Sequence, residues 1–322
     1  MALKPSEGEL ALLSGQDVLS SKTLTYEQLQ LIMKTAAYYE DALVNKRRLS
    51  DMEGKIAAIL FFAPSTRTRL SFEAAMYRLG GSAITVSETP QMQTSSTAKG
   101  ETLYDAMRVI DGYVDVIVVR SPKTGAGQES ADACDHPVIN AGDGTGQHPS
   151  QALLDIYTIL KEHGRIEGLK VAVLGDLKYG RAPHSLVYFL KHYGCDLVLV
   201  SPPQLKMPEE ITAEMRSAGI KVEETSDLKI GVAEADVLYV TRVQRERFPS
   251  LEEYELVKDS YTVNDEVVAA AKKGMSILHP LPRVHEIAVS VDSYPGAAYF
   301  RQAHNGVPIR MALLALTTGN VR

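Results

Sequence analysis

The stretch FFAPSTRTRLSFEAA carries the densest chemistry in the chain. An apolar run ends at Ala63 and a helical pattern starts at Thr68, so Ser65, Thr66, Arg67 and Thr68 crowd a helix N-terminus. Free backbone N–H groups and the helix dipole favour an anion there. The hydroxyls add donors, and an arginine can meet a phosphate through two parallel charge-assisted bonds. These features predict a phosphate cradle without the glycine-rich P-loop sequence, with Arg67 as its main ligand. The competing reading has Ser and Thr cap the helix while Arg67 and Arg69 serve as surface groups. Five such residues in a row at a strand-to-helix junction favour the cradle.

Other reactive types fall at element ends. Arg120 follows VDVIVV, at the C-terminal end of a predicted buried strand, where open α/β sheets place their ligands; a surface ion pair is the alternative. His148 precedes Pro149 at a predicted helix start and could donate to a carbonyl oxygen that gains negative charge, although an isolated histidine is also an ordinary polar residue. Gln151 lies within one helical turn of it and can accept from an amide, or simply end the helix in a polar group. GDLKYGR, running from Gly175 to Arg181, has the outline of a dinucleotide turn, but Asp176 stands where glycine is needed, so no NAD site is assigned. TRVQRERF brings Arg242 and Gln244 just past DVLYV; such a run is either an anion contact or a solvated face. The aperiodic, Ser- and Thr-rich stretch Ser87 to Lys99, with Ser95 and Lys99, is a lid candidate or a plain linker.

The elements that position these residues alternate strand and helix. A first helix spans Thr25 to Lys46, with Thr25 and Gln28 as a capping box. Then come a strand at Ile56 to Phe62, a helix at Thr68 to Leu79, strands at Ala83 to Val86 and Val116 to Val119, and one near Val138 to Asn140. A helix at Pro149 to His163 leads into a second alternation, VAVLGD, DLVLVS, IKVEE, DVLYVT and MSILH, with a helix at Val267 to Lys273 and an apolar helical pattern at Ile309 to Leu316. The length of 322 residues suits two domains.

Composition narrows the function classes. The formal charge of −6 argues against a general nucleic-acid or membrane-surface role, so any anion is bound by a local cluster. Cys134 and Cys195 sit in no paired motif, which predicts neither disulfides nor a cysteine-based zinc site and fits a reducing compartment. The longest apolar stretch, Ile56 to Ala63, is too short to span a bilayer. These features predict a soluble, cytoplasmic protein.

Ser65-Thr66-Arg67-Thr68-Arg69 resembles the carbamoyl-phosphate signature of the aspartate and ornithine carbamoyltransferases. Further landmarks of that family occur in order: Arg120, His148-Pro149-Ser150-Gln151, Arg181 ending GDLKYGR, Arg242 and Gln244, and His279-Pro280-Leu281-Pro282-Arg283. The last segment lacks the Cys, and the chain lacks the Ser-Met-Gly, that are typical of the ornithine branch, so the sequence is more similar to the aspartate branch.

The resemblance implies two doubly wound α/β domains, each with a mainly parallel sheet, and an active site in the cleft between domains and at a subunit interface. Residues 1–150 plus 301–322 would bind carbamoyl phosphate and residues 151–300 aspartate. It implies transfer of the carbamoyl group of carbamoyl phosphate to the amino group of L-aspartate, an early step of pyrimidine synthesis, in a homotrimer. Carbamoyl phosphate would meet Ser65, Thr66, Arg67, Thr68, Arg120, His148, Gln151, Leu281 and Pro282, with the Leu281 carbonyl and Gln151 accepting from the carbamoyl NH2. Aspartate would meet Lys99, Arg181, Arg242 and Gln244, and Ser95 and Lys99 would come from a neighbouring subunit. No cofactor or metal is implied, and ordered binding with domain closure is expected. A free trimer, a pairing with a regulatory chain and a domain of a larger pyrimidine-pathway polypeptide all stay open. The competing functions are an ornithine or other carbamoyltransferase, a non-catalytic phosphometabolite-binding protein and, third, an oxidoreductase.

Overall fold

The computed structural model describes residues 3–88, 99–245, 248, 250–258 and 260–321. The chain forms two compact units, one of Met1–Leu153 with Asn305–Arg322 and the other of Leu154–His304. It leaves the first unit inside the helix Pro149–His163 and returns to it inside the helix Tyr299–Thr317.

In the first unit, strands β1 (Ile56–Phe61), β2 (Ser82–Ser87), β3 (Val116–Ser121) and β4 (Val138–Asp143) form a sheet in the order β2-β1-β3-β4. All its pairings are parallel. Strands β1, β3 and β4 are buried at nearly every position because helices cover both faces of such a sheet. The edge strand β2 buries none of its residues. One core cluster gathers Ala58, Leu60, Met107, Ile117, Val119 and Val138, where each large side chain contributes roughly 1.5–3 kcal/mol.

The helices of this unit include α1 (Glu7–Leu10), α2 (Tyr26–Val44), α3 (Thr66–Arg78), α4 (Leu103–Asp111), α5 (Ala126–Ala133) and the start of α6 (Pro149–His163). The capping box expected of Thr25 and Gln28 is present and opens α2. Helix α3 starts two residues before the sequence expectation, which places Thr66, Arg67 and Thr68 in its first turn rather than ahead of it.

In the second unit, β5 (Lys170–Leu174), β6 (Asp196–Val200), β7 (Val222–Thr225), β8 (Val237–Val240) and β9 (Ser276–Leu278) form a parallel sheet in the order β7-β6-β5-β8-β9. Its helices include α7 (Arg181–Leu190), α8 (Glu209–Ser217), α9 (Leu228–Ala233), α10 (Leu251–Glu255), α11 (Asp265–Ala270) and the start of α12 (Tyr299–Thr317). Helix α11 begins at Asp265 because the Asn264 side chain accepts from the Val267 N–H, two residues ahead of the hydrophobic pattern. Helix α12 is longer than Ile309 to Leu316 and carries Pro308 in its interior.

Both sheets reverse their strand order at one place, between β1 and β3 in the first unit and between β5 and β8 in the second. The crevice outside the carboxyl ends of the strands at such a switch point is where doubly wound sheets bind ligands.

Candidate active site

In the first unit the switch point is flanked by the loop leaving Phe61 and by the end of β3. Ser65 is extended and makes no side-chain cap bond; its hydroxyl lies 3.0 Å from the Thr68 Oγ1 instead. The first N–H groups of α3 therefore keep their capacity to meet an anion. No acidic residue sits in the first turn of α3, and Arg67 does. A cation at the positive end of a helix is unfavourable by about 0.3–1 kcal/mol, a cost that a bound phosphate removes. Partial burial lowers the Arg67 pKa from its ordinary value, yet a guanidinium remains cationic. Arg69 is the surface group of the alternative reading, since it lies 3.6 Å from Glu73 one turn along the helix.

Arg120 is inside β3 rather than beyond it. Its Nη1 donates to the Ala141 carbonyl at 3.0 Å and lies 3.3 Å from Nε2 of His148. Because the guanidinium can only donate, a neutral His148 ring accepts at Nε2 and carries its proton on Nδ1, which faces the Ser150 hydroxyl at 3.4 Å. The ring is 6 % exposed and Gln151 8 %. The carbonyl of His148 accepts from the N–H groups of Gln151 and Ala152, which fixes both site residues at the start of α6.

Asp143 holds the loop that delivers His148. Its carboxylate accepts from the N–H of Gly125 at 2.8 Å, the N–H of Gln147 at 2.8 Å and the Asn140 amide at 3.2 Å. Gly144 in the same loop has φ +43°, and a Cβ there would lie 2.2 Å from the Thr124 hydroxyl and 2.6 Å from its backbone nitrogen. Neither Asp143 nor Gly144 stood out in the sequence; the only signal was a polar Gly-rich turn between an apolar strand and a helix.

In the second unit the carboxyl ends of β5 and β8 touch at Gly175. It has φ +118°, and a Cβ there would meet the Thr241 carbonyl oxygen at 2.1 Å. The neighbouring Asp176 is fully buried and accepts from the Tyr179 N–H at 2.9 Å and, at 3.5 Å, from the Gln244 N–H. Burial raises its pKa, against these hydrogen bonds and the nearby Arg242 charge. Asp176 thus ties the GDLKYGR loop to the loop carrying Arg242 and Gln244. The sequence reading saw Asp176 only as an obstacle to a dinucleotide.

Arg181 opens α7, again with no first-turn acid and no side-chain cap. Tyr179 packs edge-on against Phe248 with ring centroids 5.5 Å apart. Leu281 has φ +56° and its N–H donates to Nδ1 of the buried His279 at 2.7 Å. Arg283 pairs with Asp292 and stacks over Tyr299, a structural role. Lys99 is exposed. Ser95 and most of the lid candidate lie outside the described residues.

The first unit thus gathers Ser65, Thr66, Arg67 and Thr68 on one helix start and Arg120, His148 and Gln151 around another. The second joins Arg242 and Gln244 to the GDLKYGR loop. Residues 16–161 match the family model for the carbamoyl-P binding domain, and residues 167–317 that for the Asp/Orn binding domain, of the aspartate/ornithine carbamoyltransferases. The chain belongs to this family.

Among its carbamoyltransferase relatives, the aspartate carbamoyltransferase catalytic subunit of Thermococcus onnurineus is 52% identical over 305 residues, covering 95% of this chain and 97% of that one. That of Leptospira biflexa is 55% identical over 268 residues, 83% of this chain and 85% of that one. The solved catalytic subunit of M. jannaschii aspartate transcarbamoylase is similar at a TM-score of 0.85 with 48% identity, over 93% of this chain and 97% of that one. The Trypanosoma cruzi aspartate transcarbamoylase in complex with carbamoyl aspartate and phosphate is similar at 0.90 with 36% identity, over 98% of this chain and 99% of that one. The fold expected of the family, two parallel-sheet α/β units, is the one observed.

Proposed function

We propose that the chain is a catalytic chain of aspartate carbamoyltransferase: it transfers the carbamoyl group of carbamoyl phosphate to L-aspartate, giving N-carbamoyl-L-aspartate and phosphate for pyrimidine synthesis. The observation that carries aspartate over ornithine is the pair of cations Arg181 and Arg242 on the two loops joined through Asp176, an arrangement suited to two carboxylates.

The phosphate sits on the N-terminus of α3 with Ser65, Thr66, Arg67 and Thr68. The neutral α-amine of aspartate adds to the carbamoyl carbon, and the carbon-to-oxygen bond to phosphate breaks as the tetrahedral intermediate collapses. The amine proton leaves with a phosphate oxygen. Thr68 and Arg120 donate to the developing oxyanion. His148 aligns Arg120 in the observed contact; once that contact is exchanged for substrate and the ring takes the tautomer protonated on Nε2, it donates to the oxyanion as well. Gln151 and the backbone of Leu281, beside Pro282, accept from the carbamoyl NH2.

The α-carboxylate falls to Arg181 and the side-chain carboxylate to Arg242 and Gln244. Lys99 and Ser95 act on the active site of a neighbouring subunit in a homotrimer, with a regulatory chain or fused pathway domains as further partners, in the cytoplasm. Catalysis rests on positioning and electrostatics rather than on a covalent enzyme intermediate.

The experiment is product formation from carbamoyl phosphate with L-aspartate and, separately, L-ornithine, using the unmodified protein and Arg242→Ala. Turnover with aspartate alone, lost in the variant, is expected. Turnover with ornithine would overturn the aspartate assignment, and none with either would favour a binding protein.

A further inference from the structure

The segment after β9 contains a buried polar chain that the reaction as described does not use. His279 is 1 % exposed. Its Nδ1 accepts the Leu281 N–H at 2.7 Å, so the neutral ring carries its proton on Nε2, which faces the Glu286 carboxylate at 2.7 Å. The same carboxylate accepts the N–H groups of Val284 at 3.1 Å and His285 at 3.0 Å. One side chain thereby clasps the ring and both backbone donors on the far side of Pro282 and Arg283. From behind, the His279 N–H donates to Gln302 Oε1 at 2.7 Å, and Gln302 donates to Asp155 at 2.6 Å. Asp155, fully buried, also takes the Tyr239 hydroxyl at 2.9 Å.

Leu281 is one of two non-glycine residues with positive φ among the described residues. A leucine does not hold that conformation by itself, because its Cβ crowds the following carbonyl. The surrounding bonds must impose it.

We propose that His279 and Glu286 are positioning residues that set the Leu281 backbone so that its carbonyl reads the NH2 of the carbamoyl group, distinguishing it from a methyl of the same size. The proposal rests on the carbamoyl-phosphate reading above. Discrimination of this kind is strong because a buried acceptor left without its donor is costly.

The test uses two stable phosphonates that differ only at that group, phosphonoacetamide and 2-oxopropylphosphonate, titrated calorimetrically into the intact protein. A preference of the unmodified protein for the amide tests the carbonyl contact; its absence removes the reading on which the proposal rests, and the proposal with it. In His279→Gln the side-chain amide stands near Nε2, keeping Glu286 but losing the acceptor for the Leu281 N–H. In His279→Asn the amide oxygen stands near Nδ1 and keeps that acceptor.

The expected result is that the preference falls about tenfold in His279→Gln and stays within about threefold of the unmodified value in His279→Asn. Equal weakening of both ligands with an unchanged ratio in His279→Gln would mean a merely structural role and would overturn the proposal. If that variant does not assemble, Glu286→Gln, whose amide leaves a single accepting oxygen for the His279, Val284 and His285 donors, is read by the same ratio and the same criterion.

Discussion

Replacing Asp143 by Asn is the sharpest perturbation of the proposed catalytic geometry that removes none of its proposed ligands. The carboxylate is 7 % exposed and spreads three donors over two oxygens, with the Gly125 N–H on one and the Gln147 N–H and Asn140 amide on the other. An amide keeps one accepting oxygen and turns an NH2 towards the remaining donor. A buried donor left unsatisfied costs about 1–3 kcal/mol. Losing the charge on the surviving bonds adds about 1 kcal/mol, for a total of roughly 2–4 kcal/mol. A unit of this size loses about 2–4 °C of melting temperature per kcal/mol, so a fall of roughly 5–15 °C is expected. The loop this carboxylate organises ends at His148, and a displacement of about 1 Å there would lower kcat/KM for carbamoyl phosphate by about 100-fold. Inorganic phosphate, assigned in the proposed function to the start of α3, should bind within about threefold of the unmodified protein. Scanning calorimetry, carbamoylation kinetics and phosphate titration read the three quantities. Melting within about 2 °C and kcat/KM within about twofold of the unmodified protein would refute the assignment of Asp143 as the organiser of this loop.

Arg67→Ala should weaken inorganic phosphate binding by about 100-fold, the loss of a two-pronged charge-assisted contact, measured by titration; unchanged affinity would leave the cradle to the helix dipole alone. Gly175→Ala forces a Cβ against the Thr241 carbonyl at φ +118° and should cost about 3–5 kcal/mol, seen as a lowered urea midpoint. For Glu286, burial pushes the pKa up, but the His279 bond and the backbone donors prevail and hold it below its ordinary value of 4.5. That stabilisation is complete above about pH 4.5 and is lost as pH falls through the lowered value of the folded state. The stability gap between the unmodified protein and Glu286→Gln should therefore narrow below about pH 4.5, and a gap independent of pH would count against it.

Much of the scaffold was legible because parallel strands buried on both faces announce themselves as apolar runs; Pro149 to His163 was read to the residue. The boundaries moved where a local bond outweighs periodicity, as at Asn264, or where a helix starts in polar residues, as at Thr66. Helix α10 (Leu251–Glu255) buries none of its residues and so leaves no pattern to read. The residues of the proposed site stood out in the sequence as motifs at strand ends. Asp143, Asp176, Glu286 and Gln302 were not, because each acts by holding backbone groups or other side chains in place, and nothing in local spacing marks such an acceptor.

The interruption of the first unit by the second has a consequence during synthesis. Arg310 of α12 stacks over Phe72, the Thr317 carbonyl accepts the Gly15 N–H at 2.8 Å, and Thr318 bonds the Met52 sulfur at 3.3 Å. Ile309, Leu313 and Leu316 in that segment are fully buried. A chain emerging at about 5–20 residues per second would thus carry an unfinished first core for roughly 8–30 s while residues 154–304 are made. The second unit has every residue of its own sheet in one continuous stretch. On the ribosome it would become the first complete unit, reversing the usual N-to-C order of maturation and leaving the half that matches the carbamoyl-P binding domain exposed to chaperones and proteases for longest.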